Sequence, residues 1–127
     1  MTNKLYLISE GGTYQEVPPE QYGKLEYGAP TLDYMYKAIG CDTIEHLSVL
    51  FEDKVHHLFF DENGLASDKK PNARASAIAG NRQLRGVRLN KLRYNDLTKE
   101  PPHPLTTMQS TGLLIVGDAL LWTGDME

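Results

Sequence analysis

Nine basic side chains crowd between residues 69 and 99: Lys69, Lys70, Arg74, Arg82, Arg85, Arg88, Lys91, Arg93 and Lys99, opposed only by Asp96. The segment carries +8, whereas residues 1–68 carry -8 and residues 100–127 carry -4, giving the net charge of -4. Grouped arginines suit phosphate, because the planar guanidinium offers paired donors that match two phosphate oxygens. Arg82, Arg85 and Arg88 recur at every third residue, a spacing that lets them project to one side of a turn-like stretch. The candidate contacts for an anionic ligand are therefore Arg74, Arg82, Arg85 and Arg88, with Asn72 at the head of the segment. Tyr94, inside the segment, and Phe59 are candidates to stack on a base. The competing reading of the same charges is a solvated surface that pairs with the protein's own acidic parts.

Other residue types that could do chemistry form weaker patterns. His56 and His57 are adjacent, so in a strand they face opposite ways and cannot chelate one ion together. His46 and His57 would share a face if residues 43–51 and 54–60 form a hairpin, and Asp61 could approach it. No His-x-x-x-His helix and no cysteine ligand set accompanies them, so half-exposed strand histidines are the expectation and no metal is assigned. Cys41, the single cysteine, can form no internal disulfide and reads as a buried, inert thiol. There is no Gly-x-Ser-x-Gly elbow and no phosphate loop of the Gly-x-x-x-x-Gly-Lys-Ser/Thr type. Asp61, Glu62, Asn63 and Gly64 read as a turn, since the acidic alternation and distal Glu of a calcium loop are missing. No catalytic residue and no cofactor is expected.

These candidates need a scaffold, and the pattern of the chain predicts an α+β one: a small mixed or antiparallel sheet with a central hairpin and two short helices. Residues 4–9 and 13–17 read as strands about a Gly11-Gly12 turn, closed off by Pro18 and Pro19, which cannot donate to a ladder. Residues 18–30 are loop-like. Residues 31–39 read as a helix, with Thr31 as cap, Asp33 in the first turn, an apolar face of Leu32, Met35, Tyr36 and Ile39, and Gly40 as stop. In 43–51, Leu47, Val49 and Phe51 alternate with His46 and Ser48. In 54–60, Leu58 and Phe60 fall together, and the short link at 52–53 makes the pair a hairpin that sets His57 opposite Ser48. Asn72 can cap a second short helix over 72–79. Residues 81–111 read as an inserted basic loop, and 112–123 as one or two closing strands turning at Gly117 and Asp118.

With 127 residues, 40% hydrophobic and 24% charged, the chain has the size and composition of one globular domain. No run approaches the ~18 apolar residues of a membrane span, and the apolar piece at residues 5–8 is too short for a signal-peptide core. The expectation is a cytoplasmic protein, in the host cytoplasm if phage-encoded, with no membrane partner.

Four short motifs in order carry a resemblance: Gly40-Cys41-Asp42-Thr43-Ile44-Glu45, then Asp61-Glu62-Asn63-Gly64-Leu65, Pro71-Asn72-Ala73-Arg74-Ala75, and Ile115-Val116-Gly117-Asp118-Ala119-Leu120. Together, over about residues 38–124, they resemble a small domain family of unknown function found in phages, mobile elements and some bacteria. Residues 81–111 are longer than the gap usual in that family. The resemblance implies an α+β fold and a phage or mobile-element origin, and no reaction. By analogy of context it points to the non-enzymatic, oligomeric proteins that sequester nucleotide immune signals, such as the Thoeris anti-defence proteins. The resulting expectation is a homo-oligomeric anti-defence protein binding a small anionic nucleotide ligand. A module that inhibits a host protein and a nucleic-acid-binding accessory protein stay open as alternatives, the latter disfavoured by the acidic remainder of the chain.

Overall fold

A computed structural model describes residues 4–11, 13–21, 30–51, 54–63, 69–79 and 115–124. In chain order it contains β1 (Leu5–Ile8), β2 (Tyr14–Val17), a 3-10 turn (Pro19–Gln21), α1 (Leu32–Ile39), β3 (Ile44–Phe51), β4 (Lys54–Asp61), α2 (Ala73–Ala79) and β5 (Ala119–Trp122). The five strands form one sheet in the order β2-β1-β5-β4-β3, every neighbouring pair antiparallel. The fold class is therefore α+β. The β3–β4 hairpin sits mid-chain but forms one flank of the sheet, and the spatial centre is β5.

The side-chain period of two sorts each strand onto two faces, and both faces are covered. Ile8, Val49, Leu58, Phe60, Ala119 and Leu121 point one way and pack with Ala75, Ile78 and Ala79 of α2. Leu5, Val17, Phe59, Leu120 and Trp122 point the other way and pack with Met35 and Ile39 of α1. A strand buried on both faces reads as a continuous apolar run, which is why β5 is Ala-Leu-Leu-Trp with every residue buried.

Local chemistry explains the helix ends. The Thr31 hydroxyl accepts from the Tyr34 amide at 3.2 Å, satisfying one of the free donors of α1. Gly40, at φ 73°, closes α1 in the left-handed conformation, and its amide donates to the Tyr36 carbonyl. The start of α2 is held by Asn72. Its Oδ1 accepts from the Ala75 amide at 2.9 Å, and its Nδ2 donates to the carbonyls of Ile8 at 2.9 Å and Gly117 at 2.8 Å. One fully buried side chain thus joins α2, β1 and the turn into β5. Ser76 adds a second link, its hydroxyl accepting from the Ile115 amide at 2.8 Å.

The β3–β4 register places Ser48 opposite His57, His46 opposite Phe59 and Leu47 opposite Leu58. The hairpin, its register and the positions of both helices follow the reading of the sequence closely, but Leu32, read as part of the apolar face of α1, is exposed, and Met35 and Ile39 are the residues that α1 buries. The link at 52–53, Gly12, Gly64 and the whole of 81–111 lie outside the described residues.

Candidate functional site

Of the nine basic residues between 69 and 99, Lys69, Lys70 and Arg74 fall among the described residues; Arg82, Arg85, Arg88 and Tyr94 lie outside them. Lys69 is turned inward. Its ammonium lies 2.7 Å from Asp61 Oδ2 and donates to the carbonyls of Ile39 at 3.2 Å and Gly40 at 3.0 Å. Asp61 is buried, and its other oxygen accepts from the Asn63 amide at 2.9 Å. A cation set against the carbonyl end of α1 also complements the helix dipole. The charge of Lys69 therefore works within the fold. Lys70 is exposed.

Arg74 lies in the first turn of α2 and is 9% exposed. Its guanidinium carbon sits 5.8 Å from the centre of the Tyr14 ring, within the range of a cation–π contact. Tyr14 in turn lies 6.1 Å from Tyr6, the two rings tilted by 57°. Burial raises the Tyr6 phenol above its ordinary pKa; the neighbouring Lys4 opposes this, and Glu16 and Tyr14 add to it. Both tyrosines border the α2 side of the sheet. The result is one guanidinium and two aromatic rings on one face, beside the edge strand β2.

The structure does not bring all the sequence candidates together. Phe59 is 3% exposed and belongs to the core beneath α1, on the sheet face opposite Arg74. The hairpin face read from the sequence as polar is thus a second core face, because α1 covers it. Asn72 spends both hydrogens of its amide nitrogen on backbone carbonyls, so its donors are committed to holding α2 in place. Tyr6 and Tyr14 were not among the candidates. They lie far from the arginines in sequence, and only the antiparallel pairing of Ile8 with Tyr14 and the seating of α2 above it bring Tyr14 to Arg74.

The α1 face holds a second group of polar residues. His46 Nε2 and His57 Nδ1 are 2.7 Å apart, and the His46 ring stacks on Phe59 at 5.1 Å with an interplanar angle of 20°. Burial lowers the His46 pKa below its ordinary value, favouring the neutral imidazole. His56 is buried on the opposite, α2, face. No group of three or more His, Cys, Asp or Glu with metal-binding geometry occurs among the described residues. Cys41 is half-buried, and burial, followed by the charge of Asp61, raises its thiol pKa, which keeps it in the less reactive protonated form.

No protein-family model, curated protein or solved structure matches this chain. Among the described residues no helix is long and apolar enough to cross a membrane.

Proposed function

We propose that this protein binds a small phosphorylated, nucleotide-type ligand stoichiometrically and sequesters it without turning it over. The observation that carries the reading is charge segregation: +8 between residues 69 and 99 in a chain that is otherwise -12. Such a field attracts a compact anion while the acidic remainder repels a long polyanion. In this reading Arg82, Arg85 and Arg88 hold phosphate, Tyr94 stacks on a base, and Arg74, steadied against Tyr14, closes the group from α2. The sequestered molecule is of the class used as nucleotide immune signals, which accords with the phage-family resemblance of the four motifs.

The test is to purify the protein from cells that produce such signals, denature it by heat, and identify what is released. Intact nucleotide supports sequestration, altered nucleotide indicates turnover, and no nucleotide refutes the reading. Calorimetry with the released nucleotide then assigns the site. Loss of one arginine from a charge-assisted phosphate contact costs about 1.5–3 kcal/mol, a roughly tenfold to hundredfold weaker Kd. Arg82→Ala, Arg85→Ala and Arg88→Ala are the variants to measure. Arg74→Ala joins them once its melting curve matches wild type. If all four bind as wild type does, the basic segment is not the site.

A further inference from the structure

We propose that His46 and His57 form a two-imidazole site for a late first-row divalent cation, Zn²⁺, Cu²⁺ or Ni²⁺, on the α1 side of the β3–β4 hairpin. The starting observation is convergence: His46 Nε2 and His57 Nδ1 point at each other across 2.7 Å. Neither position is accidental. Residues 46 and 57 are diagonal neighbours on two hydrogen-bonded strands, His46 standing opposite Phe59 and His57 opposite Ser48. The ladder fixes both Cα positions. Phe59, itself buried, lies flat beneath the His46 ring and restricts its rotation.

A cation fits this geometry with little rearrangement. Two imidazole nitrogens on one tetrahedral zinc, at Zn–N of about 2.0–2.1 Å, stand roughly 3.3 Å apart. The pair must therefore open by about 0.6 Å, and each ring must turn by roughly 35° so that its lone pair meets the ion off the N···N line; the His46 ring can make this turn by sliding over Phe59. The ring that donates the hydrogen bond moves its proton to its other nitrogen, so both converging nitrogens present lone pairs and two neutral imidazoles bind the ion. Imidazole donors select zinc, copper and nickel over magnesium and calcium. His46 is exposed, which leaves a path for the ion. No third His, Cys, Asp or Glu among the described residues completes the set, and Asp61 is engaged by Lys69 and Asn63. Water fills the remaining positions. His56, one residue from His57, faces the other side of the sheet and cannot join.

The experiment titrates the metal-free full chain with Zn²⁺ and Ni²⁺ by calorimetry, and repeats the titration with His46→Gln, His57→Gln and His103→Gln. The expected result is one ion per chain for wild type and for His103→Gln, with binding at least tenfold weaker in the other two variants. Electron paramagnetic resonance of the Cu²⁺-loaded chain should show coupling to two nitrogens. The His46 side chain is exposed, so His46→Gln carries the test even if His57→Gln fails to fold. In that case Zn²⁺ should raise the Tm of wild type and not of His46→Gln. The proposal is overturned if wild type takes up no ion, or if His46→Gln binds and is stabilised as wild type is.

Discussion

Asn72→Ala should be among the most damaging single substitutions in this protein. The change removes three hydrogen bonds of 2.8–2.9 Å from a fully buried site. A buried neutral hydrogen bond contributes about 1 kcal/mol net, and more where a partner is left with nothing else to bond. Three of them give a loss of about 3 kcal/mol, and the lost helix cap is already counted in the third. Against a total stability of about 5–15 kcal/mol for a domain of ordinary stability, that is a large fraction. Urea unfolding followed by far-UV circular dichroism measures it as a fall in the midpoint at constant slope. Asn72→Asp sharpens the argument. It retains the acceptor that caps α2 but turns an oxygen toward the carbonyls of Ile8 and Gly117, so at neutral pH it should be worse than alanine. Its folded-state pKa would be raised above the unfolded value, so relative to wild type the aspartate variant should recover stability as pH falls. A loss below about 1 kcal/mol for Asn72→Ala, the value of a single such bond, would refute the claim that this side chain ties α2, β1 and the β5 turn together.

Lys69→Met should destabilise the fold by about 2–4 kcal/mol, because the buried Asp61 side chain is left without its cation. Gly117→Ala should cost about 1–2 kcal/mol for a φ of 77°. A Cβ there would lie 2.6 Å from Lys69 Cδ, so a double-mutant cycle with Lys69→Ala, which removes that carbon, should show coupling between the two, and additivity would count against that contact. The depressed His46 pKa means that the unfolded chain binds the proton more readily. Its contribution to stability is present above the ordinary value of 6.5 and lost as pH falls below it. In the presence of a chelator, His46→Gln should therefore flatten the decline in denaturation midpoint between pH 7 and pH 5, and an unchanged slope would contradict the assignment. Opposite charge in different segments of a small domain favours self-association, so light scattering at micromolar concentration should give a mass above the 14.3 kDa of one chain.

Much of this architecture is legible because its signals are local. Thr31 and Gly40 announce both ends of α1, Asn72 announces the start of α2, and the two-residue link fixes the hairpin register that sets Ser48 against His57. What the sequence hides is non-local. Pairing of β1 with β5 joins Leu5 to Trp122, and nothing near either residue encodes that partner. The same blindness explains Phe59. Alternation groups it with His46 and Ser48, so the face looks polar until Leu120, Trp122 and α1 arrive from elsewhere to bury it. Lys69 looks like part of a basic surface because its partners, Asp61 and the end of α1, converge on it only in the folded chain. Asn72 is legible as a cap but not as a link to Ile8, which is 64 residues away.

The place of β5 has a consequence for how the chain reaches this state. Of the five strands it leaves the ribosome last, yet it is the one that bridges the β2–β1 pair to the β4–β3 pair. Until then the growing polypeptide can hold two separate hairpins, each with unpaired edges and uncovered apolar faces. Such edges are prone to mispairing and aggregation. The sheet can close only once residues 119–122 are free, so its closure waits for the last of these strands to be made. The interval before it is when the nascent protein has most need of a chaperone.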